Sequence, residues 1–383
     1  MKYRQKWEIF CRVIDNFGDA GVCWRLARQL HAEHDIHVRL WIDDLRILQA
    51  LVPEVRLESR DQSIQGVVVS QWKSPLPGAS VDVVIDAFGC GLDEIYQAAL
   101  VQARPEVLWI TLEYLSAENW VDEHHGLPSP HPTLALRRYF FFPGFTNKTG
   151  GLIREESLLQ RRNVYRRENF DLSQLSGVCE LETPAIGMTT VSLFGYDNPM
   201  TSELLGAFSA GPQLVRALVP PSPLRASIES CLNPDKAIKG PVLRRGCLEV
   251  QLIPFVPQNQ YDELLWACDW NFVRGEDSFV RAQWAGRPLV WHIYRQKEEV
   301  HHQKLGAFLD LYLDGMPEPA ASAMRGLWYR WNGAGDMTLM ESWCTLQNYK
   351  KIIQNQSFVW EKRLLLLGDL AENLVQFCGL KVQ

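Results

Sequence analysis

The sequence predicts an α/β protein of two domains, each a doubly wound, mostly parallel sheet with helices on its faces. Three observations carry this expectation. The 383 residues exceed the ~250–300 at which a single hydrophobic core stops growing. Strand-like apolar runs alternate with segments of helical period, and the alternation occurs twice. Between Arg154 and Pro184 it breaks into a polar, charged stretch containing RRNVYRRENFDLSQLSG, then restarts. The domains expected are therefore 1–180 and 181–356, followed by a terminal helical segment.

Trp7 to Ile14 is a nearly continuous apolar run, the pattern of a strand buried on both faces. Gly21 to His34 then sets Val22, Leu26 and Leu30 on one helical face, and Ile36 to Ile42 reads as strand again, completing a βαβ unit. Asp43 to Leu51 is a short helix, Gly66 to Ser70 and Val81 to Ile85 are strands, Leu92 to Ala103 is a helix and Val107 to Leu112 a buried strand. In the second half, strands are expected at 188–194, 247–253, 269–273 and 287–293, and helices at 201–209, 223–231, 259–267, 277–285 and 298–309. The last segment, 357–378, reads as one helix with Trp360, Leu364, Leu367 and Leu374 on one face.

Composition narrows the function. Hydrophobic residues make up 46%, and no apolar run approaches the ~18–20 residues of a membrane span, so a soluble protein is expected. The start MKYRQKWEIF enters the first strand without an apolar leader, which points to the cytoplasm. The nine cysteines stand without CxxC pairs, as reduced thiols would. With 39 Lys and Arg against 45 Asp and Glu, the net charge is −6, and the doublets Arg161-Arg162 and Arg166-Arg167 make no broad basic stripe, so nucleic-acid binding is not expected. His124-His125 and His301-His302 lack zinc spacing, no D-x-D pair or P-loop occurs, and no metal is expected.

In open α/β sheets ligands bind beyond the carboxyl ends of strands, at helix N-termini. In the first half that junction is Asp15-Asn16-Phe17-Gly18-Asp19-Ala20-Gly21. It fits a helix capped by Asp19, with Asp15 ending the strand; as a functional junction it is a carboxylate pair facing a cationic or protic partner. A carboxylate here would repel a pyrophosphate, and the spacing is not GxGxxG. The run Glu113 to Trp120, EYLSAENW, follows another strand and fits a solvated loop or an acceptor surface.

In the second half the junction is FVRGEDSFVRAQWAG, residues 272–286. Asp277 or Ser278 fits an N-cap; alternatively Ser278 and the first N–H groups hold phosphate oxygens, Arg274 adds positive charge, and Glu276 or Asp277 meets a hydroxyl. In IPFVPQNQYDELL, Phe255 is either core or a platform for a base, with Gln258 at the base edge. Phe194-Gly195-Tyr196 follows a strand, so Tyr196 is either a ligand hydroxyl or a loop residue.

From residue 9 to residue 294, IFCRVIDNFGDAGVCWRLARQL, EYLSAE, GGLIRE, LFGY, IPFVPQ and RGEDSFVRAQWAGRPLVWHIY together resemble the EarP family, the protein-arginine rhamnosyltransferases that modify translation elongation factor P. The resemblance implies a GT-B fold, two Rossmann-like lobes facing a cleft, with the C-terminal helix, about 357–383, crossing back to the N-terminal lobe. It implies inverting transfer of L-rhamnose from dTDP-β-L-rhamnose to an arginine guanidine nitrogen of elongation factor P, which activates the factor for ribosomes stalled at polyproline. No metal or other cofactor is implied. Asp19 matches the general base, Asp15 its supporting aspartate and Glu276 the other essential carboxylate. Tyr196, Gln258, Arg274, Glu276, Asp277 and Ser278 match donor-contact positions, and Phe194 and Phe255 the aromatics near the nucleotide. Asn16, Phe17, Gly18, Glu113 and Tyr114 fall on the acceptor side. A non-catalytic nucleotide-sugar or elongation-factor binding protein on the same scaffold is the alternative.

Overall fold

The computed structural model describes residues 4–73, 81–167, 185, 187–235 and 240–382. The chain divides into two compact units, Met1–Glu156 with Arg363–Gln383, and Ser157–Lys362. The division falls early in the polar stretch 154–184; residues 168–184 of that stretch lie outside the described residues.

The first unit contains β1 (Lys6–Cys11), α1 (Phe17–His34), β2 (His37–Ile42), α2 (Leu45–Leu51), β3 (Asp61–Ile64), β4 (Val67–Gln71), β5 (Val83–Ala87), α3 (Glu94–Ala103), β6 (Leu108–Leu112), α4 (Trp120–His124) and β7 (Arg137–Phe141). Its sheet runs β3-β4-β2-β1-β5-β6-β7, parallel throughout except for the antiparallel β3–β4 pair. As its apolar run predicts, β1 is buried from Trp7 to Cys11. The lone carboxylate in that run, Glu8, accepts the Tyr96 hydroxyl at 2.7 Å. Because β1 lies between β2 and β5, the winding reverses at β1, and the crevice beyond its carboxyl end is where such sheets bind ligands.

The second unit contains α5 (Leu158–Arg167), β8 (Thr189–Leu193), α6 (Thr201–Ala210), β9 (Val215–Val219), α7 (Pro223–Leu232), β10 (Val242–Arg245), β11 (Leu248–Leu252), α8 (Gln258–Ala267), β12 (Trp270–Arg274), α9 (Asp277–Trp284), β13 (Leu289–His292), α10 (Val300–Tyr312), α11 (Glu318–Trp331), α12 (Leu339–Gln347) and α13 (Lys350–Leu365). The sheet order is β10-β11-β9-β8-β12-β13, with only β10–β11 antiparallel, and the reversal falls at β8, between β9 and β12. The strand β9 is absent from the sequence expectation because Arg216 interrupts its apolar run. That arginine is buried, paired with its register partner Glu249 at 2.7 Å. The strands β3, β7 and β10 and the helices α4, α5, α11 and α12 are likewise absent from that expectation.

The single terminal helix expected over 357–378 is instead two helices, α13 and α14 (Leu370–Val382). The break contains Gly368 at φ 75°, a left-handed conformation that glycine adopts without strain. The helix α14 packs into the first unit: Gln29 Nε2 donates to Asp369 Oδ1 at 3.0 Å, and the Phe377 ring meets Phe141 at 5.5 Å. The return of the C-terminus to the first unit is thus observed, beginning at Arg363.

Within the second unit α9 is pinned to α8. Arg281, with a side chain fully out of solvent, donates Nε to Asp262 Oδ1 at 2.7 Å and Nη2 to Oδ2 at 2.6 Å. Removing one partner of such a pair leaves a buried charge without its counterion, which costs about 3–5 kcal/mol. Asp262→Ala is therefore expected to destabilise the second unit by about that amount in chemical unfolding; a loss below about 1 kcal/mol would mean that water reaches Arg281.

Candidate active site

The chain leaves β1 and turns into α1 through Asp15–Gly18, where the Gly18 N–H donates to the Asp15 carbonyl at 2.8 Å. Asn16 has φ 46° and ψ −112°, the second position of a type II′ turn. A non-glycine residue held there costs on the order of 1–3 kcal/mol. Asn16 precedes the first helical residue, yet its side chain makes no capping bond.

Asp19 is not the cap that helix-start statistics suggest. It is the third residue of α1 and reaches backwards, its Oδ2 accepting the N–H groups of Ile14 and Asp15, both at 2.8 Å. The Tyr114 hydroxyl, from just beyond β6, donates to it as well. The residue is 1% exposed, and burial pushes its pKa above the ordinary aspartate value. The hydrogen bonds oppose that shift and the nearby Asp43 carboxylate reinforces it. Asp15 is half-buried, with its carboxylate against Gly18; a Cβ at position 18 would stand 2.8 Å from Asp15 Oδ2.

The fold thus brings Asp15, Asn16, Gly18, Asp19 and Tyr114 together, with Phe17 opening the helix. Glu113, next to Tyr114, donates its N–H to Phe141 O at 3.0 Å and so ties this loop to β7. The sequence reading missed Phe88, which follows β5 and stacks on Tyr114 with centroids 4.4 Å apart. Its φ of 59°, and the FGCG run after a strand, are the signals that mark it.

In the second unit the arginine at the end of β12 dominates. Arg274 is buried, its guanidinium 4.8 Å from the Phe194 ring and 4.7 Å from the Tyr196 ring, so the Phe194-Gly195-Tyr196 turn after β8 grips it from the switch point. Gly275, at φ 62°, lets the chain turn from β12 into α9. Neither Asp277 nor Ser278 is the N-cap. Glu276 holds that position without a capping bond, and Ser278 is helical, its hydroxyl donating to Arg274 O at 2.8 Å. Asp277 Oδ2 accepts Gln258 Nε2 at 3.1 Å, joining the starts of α8 and α9. Phe255 is half-buried and stands outside the core cluster of Ile253, Val256 and Leu264.

His292, at the end of β13, was also missed. It faces Tyr196 at 5.1 Å, and burial, reinforced by the Arg274 charge, pushes its pKa down to about 3, so the ring is neutral. A cavity of about 400 Å³ opens there, lined by Tyr196, His292, Tyr294, His301 and Trp331 among others. A larger one, about 600 Å³, lies around Asp269 and Pro288 at the amino ends of β12 and β13, the wrong end of the sheet for an α/β active site. Among the described residues no three metal-ligating side chains gather.

The two junctions therefore have opposite chemistry. The first offers acceptors and a buried carboxylate, suited to a cation; the second offers an arginine at a helix start, suited to an anion. Two doubly wound units of this kind are the architecture of the GT-B glycosyltransferase fold. The glycotransferase of kitacinnamycin shares this fold at TM-score 0.51 and 12% identity, over 98% of this chain and 100% of that one. The family described as Elongation-Factor P (EF-P) rhamnosyltransferase EarP matches residues 7–379. A protein-arginine rhamnosyltransferase of Pseudomonas putida is 46% identical over 374 residues, 97% of this chain and 98% of its own. A solved structure described as the structural basis for EarP-mediated arginine glycosylation of translation elongation factor EF-P is 34% identical, with TM-score 0.68 and 98% of both chains covered. The chain belongs to the EarP family.

Two outcomes follow from the first junction. Alanine is favoured over glycine in a helix by about 1 kcal/mol, but its methyl at position 18 would displace the Asp15 carboxylate. Gly18→Ala should therefore unfold no earlier than the native protein while its transferase turnover falls at least about tenfold; native turnover would show that Asp15 need not hold its place. For Asp19, a folded-state pKa above the unfolded value means that the ionised carboxylate opposes folding above that pKa, and that the penalty fades as pH falls through it. Asp19→Asn should then be more stable than the native protein near neutral pH, with the difference vanishing towards about pH 4 in paired unfolding measurements.

Proposed function

We propose that this protein transfers L-rhamnose from dTDP-β-L-rhamnose to an arginine guanidine nitrogen of translation elongation factor P with inversion at the sugar carbon, giving an α-rhamnosyl arginine and activating the factor for polyproline stalls. The donor occupies the second unit and the acceptor arginine the first. The observation that carries the acceptor assignment is the Asp19 carboxylate, buried, raised in pKa and held by two backbone N–H groups and a tyrosine hydroxyl.

A guanidinium has a pKa above about 12 and delocalised lone pairs, so it is a poor nucleophile until a proton leaves. Asp19 takes that proton as the nitrogen lone pair forms the bond to the sugar C1. The bond from C1 to the diphosphate oxygen breaks, and its electron pair leaves with dTDP. Desolvation makes Asp19 a stronger base than a surface aspartate, and general-base help is typically worth ~10²–10⁴ in rate. Asp15 adds negative charge that holds and polarises the guanidinium, and Glu276, at the start of α9, is the second unit's member of the catalytic set. The departing diphosphate is met by Arg274 and the first N–H groups of α9, with Ser278 and Asp277 shaping that turn. Phe194, Tyr196 and Phe255 supply faces for the thymine, and Gln258 a polar edge beside it. No metal is assigned a part.

The test is purified protein with dTDP-rhamnose and unmodified elongation factor P, followed by intact mass. A gain of one deoxyhexose on the factor supports transfer. Tight donor binding without gain would make the protein a sensor, and donor loss without gain a hydrolase. Asp19→Asn should abolish transfer while donor affinity persists, and the native rate should rise with pH through a value above the usual aspartate range; near-native turnover in the variant would remove Asp19 as base. Arg274→Ala should weaken dTDP binding at least about tenfold, and unchanged affinity would remove Arg274 from the phosphate site.

A further inference from the structure

The turn between β1 and α1 contains an asparagine that the fold does not explain. At φ 46° and ψ −112° Asn16 occupies a position where glycine is unstrained, so the backbone alone favours Gly over Asn. The side chain gives no capping bond in return. Its Oδ1 is buried and has no hydrogen-bond partner among the described residues. A buried acceptor left unmade is destabilising, so a donor from outside the described residues would stabilise this carboxamide.

The surroundings indicate what that donor is. Asp15 immediately precedes Asn16, and Asp19 lies three residues on with its carboxylate folded back to the N–H groups of Ile14 and Asp15. The turn therefore presents hydrogen-bond acceptors together with negative charge. A guanidinium is the side-chain group that matches: planar, cationic, with five N–H donors and no acceptor. We propose that Asn16 is a recognition residue whose carboxamide oxygen accepts a hydrogen bond from the acceptor guanidinium, forming with Asp15 and Asp19 a three-residue cup for that group. The inference rests on the reading that the acceptor arginine binds at this junction. A neutral acceptor suits the third place because it adds a directed bond without a further like charge beside two carboxylates, and so leaves Asp19 ionisable near neutral pH.

The test compares Asn16→Gly, Asn16→Ala and Asn16→Asp in the full-length protein, with dTDP-rhamnose as donor and unmodified elongation factor P varied in concentration. Asn16→Gly relaxes the turn and should unfold no earlier than the native protein, with unchanged affinity for dTDP. Its kcat/KM for the factor should fall about tenfold or more, largely through KM. Asn16→Ala, which keeps the Cβ and lacks the oxygen, should fall as far. Asn16→Asp restores an acceptor oxygen and should recover most of the loss in KM. Native kinetics for Asn16→Gly, or an Asn16→Asp KM as high as those of the Gly and Ala variants, would overturn the inference. Asp19→Asn run alongside separates the two readings. If it turns over normally, the acceptor assignment itself fails; if it is inactive while Asn16→Gly is native, only the role of Asn16 fails.

Discussion

A carboxylate taken out of water has to recover its hydrogen bonds from the protein, and the first unit is built around that requirement at Asp19. Its Oδ2 draws in the N–H groups of Ile14 and Asp15, which fixes the path of the chain after β1. That path is short enough to need the Asp15–Gly18 turn, and the turn sets both the strained Asn16 and the contact between Asp15 and Gly18. Tyr114 completes the shell from β6 and is itself held by Phe88 from β5. The carboxyl ends of three neighbouring strands thus converge on one oxygen pair, because the sheet order places β5 between β1 and β6.

A helix N-terminus ordinarily carries about half a positive charge and attracts anions. In α1 a negative charge in the first turn reverses that sign, so a position suited to phosphate in many α/β proteins is here suited to a cation. In the second unit the acidic residues at the start of α9 are partly committed elsewhere: Asp277 holds Gln258, and Arg274 contributes a positive charge from the strand. The neutral His292 beside that arginine matters for the same reason, since a second cation at the end of β13 would destabilise Arg274 rather than position it. Two copies of one strand–turn–helix device thus differ in electrostatic character through a few side chains.

Much of this architecture was legible in the sequence, for reasons that also explain the omissions. The strand β1 and the helix α1 announce themselves because a continuous apolar run gives way to a helical period within a few residues. The strand β9 hides because Arg216 looks like a surface residue until the register shows Glu249 opposite it. The terminal segment reads as one helix because Trp360, Leu364, Leu367 and Leu374 keep a helical spacing across the break at Gly368. The candidate site was legible as two junctions, but not in its detail. An acid near a helix start is the same letter whether it caps forward or reaches back to the strand, as Asp19 does. Phe88 and His292 were missed because each gains meaning only from a residue brought beside it by sheet order, Tyr114 in one case and Tyr196 in the other.

The burial of Asp19 and the strain of Asn16 have a common sense when stability and reactivity are weighed together. Each lies where a different residue would serve the fold better: a neutral amide at position 19 would avoid the desolvation of a charge, and a glycine at position 16 would relax the turn. A carboxylate stabilised fully in the free enzyme would be a weak base, since whatever stabilises its ionised form lowers its affinity for a proton. The hydrogen bonds at Asp19 therefore stop short of offsetting its burial, and the difference persists as basicity. The fold supports that imbalance because the groups holding it, backbone amides of the turn after β1 and a tyrosine stacked on Phe88, sit at the carboxyl ends of three adjacent strands of a seven-stranded sheet.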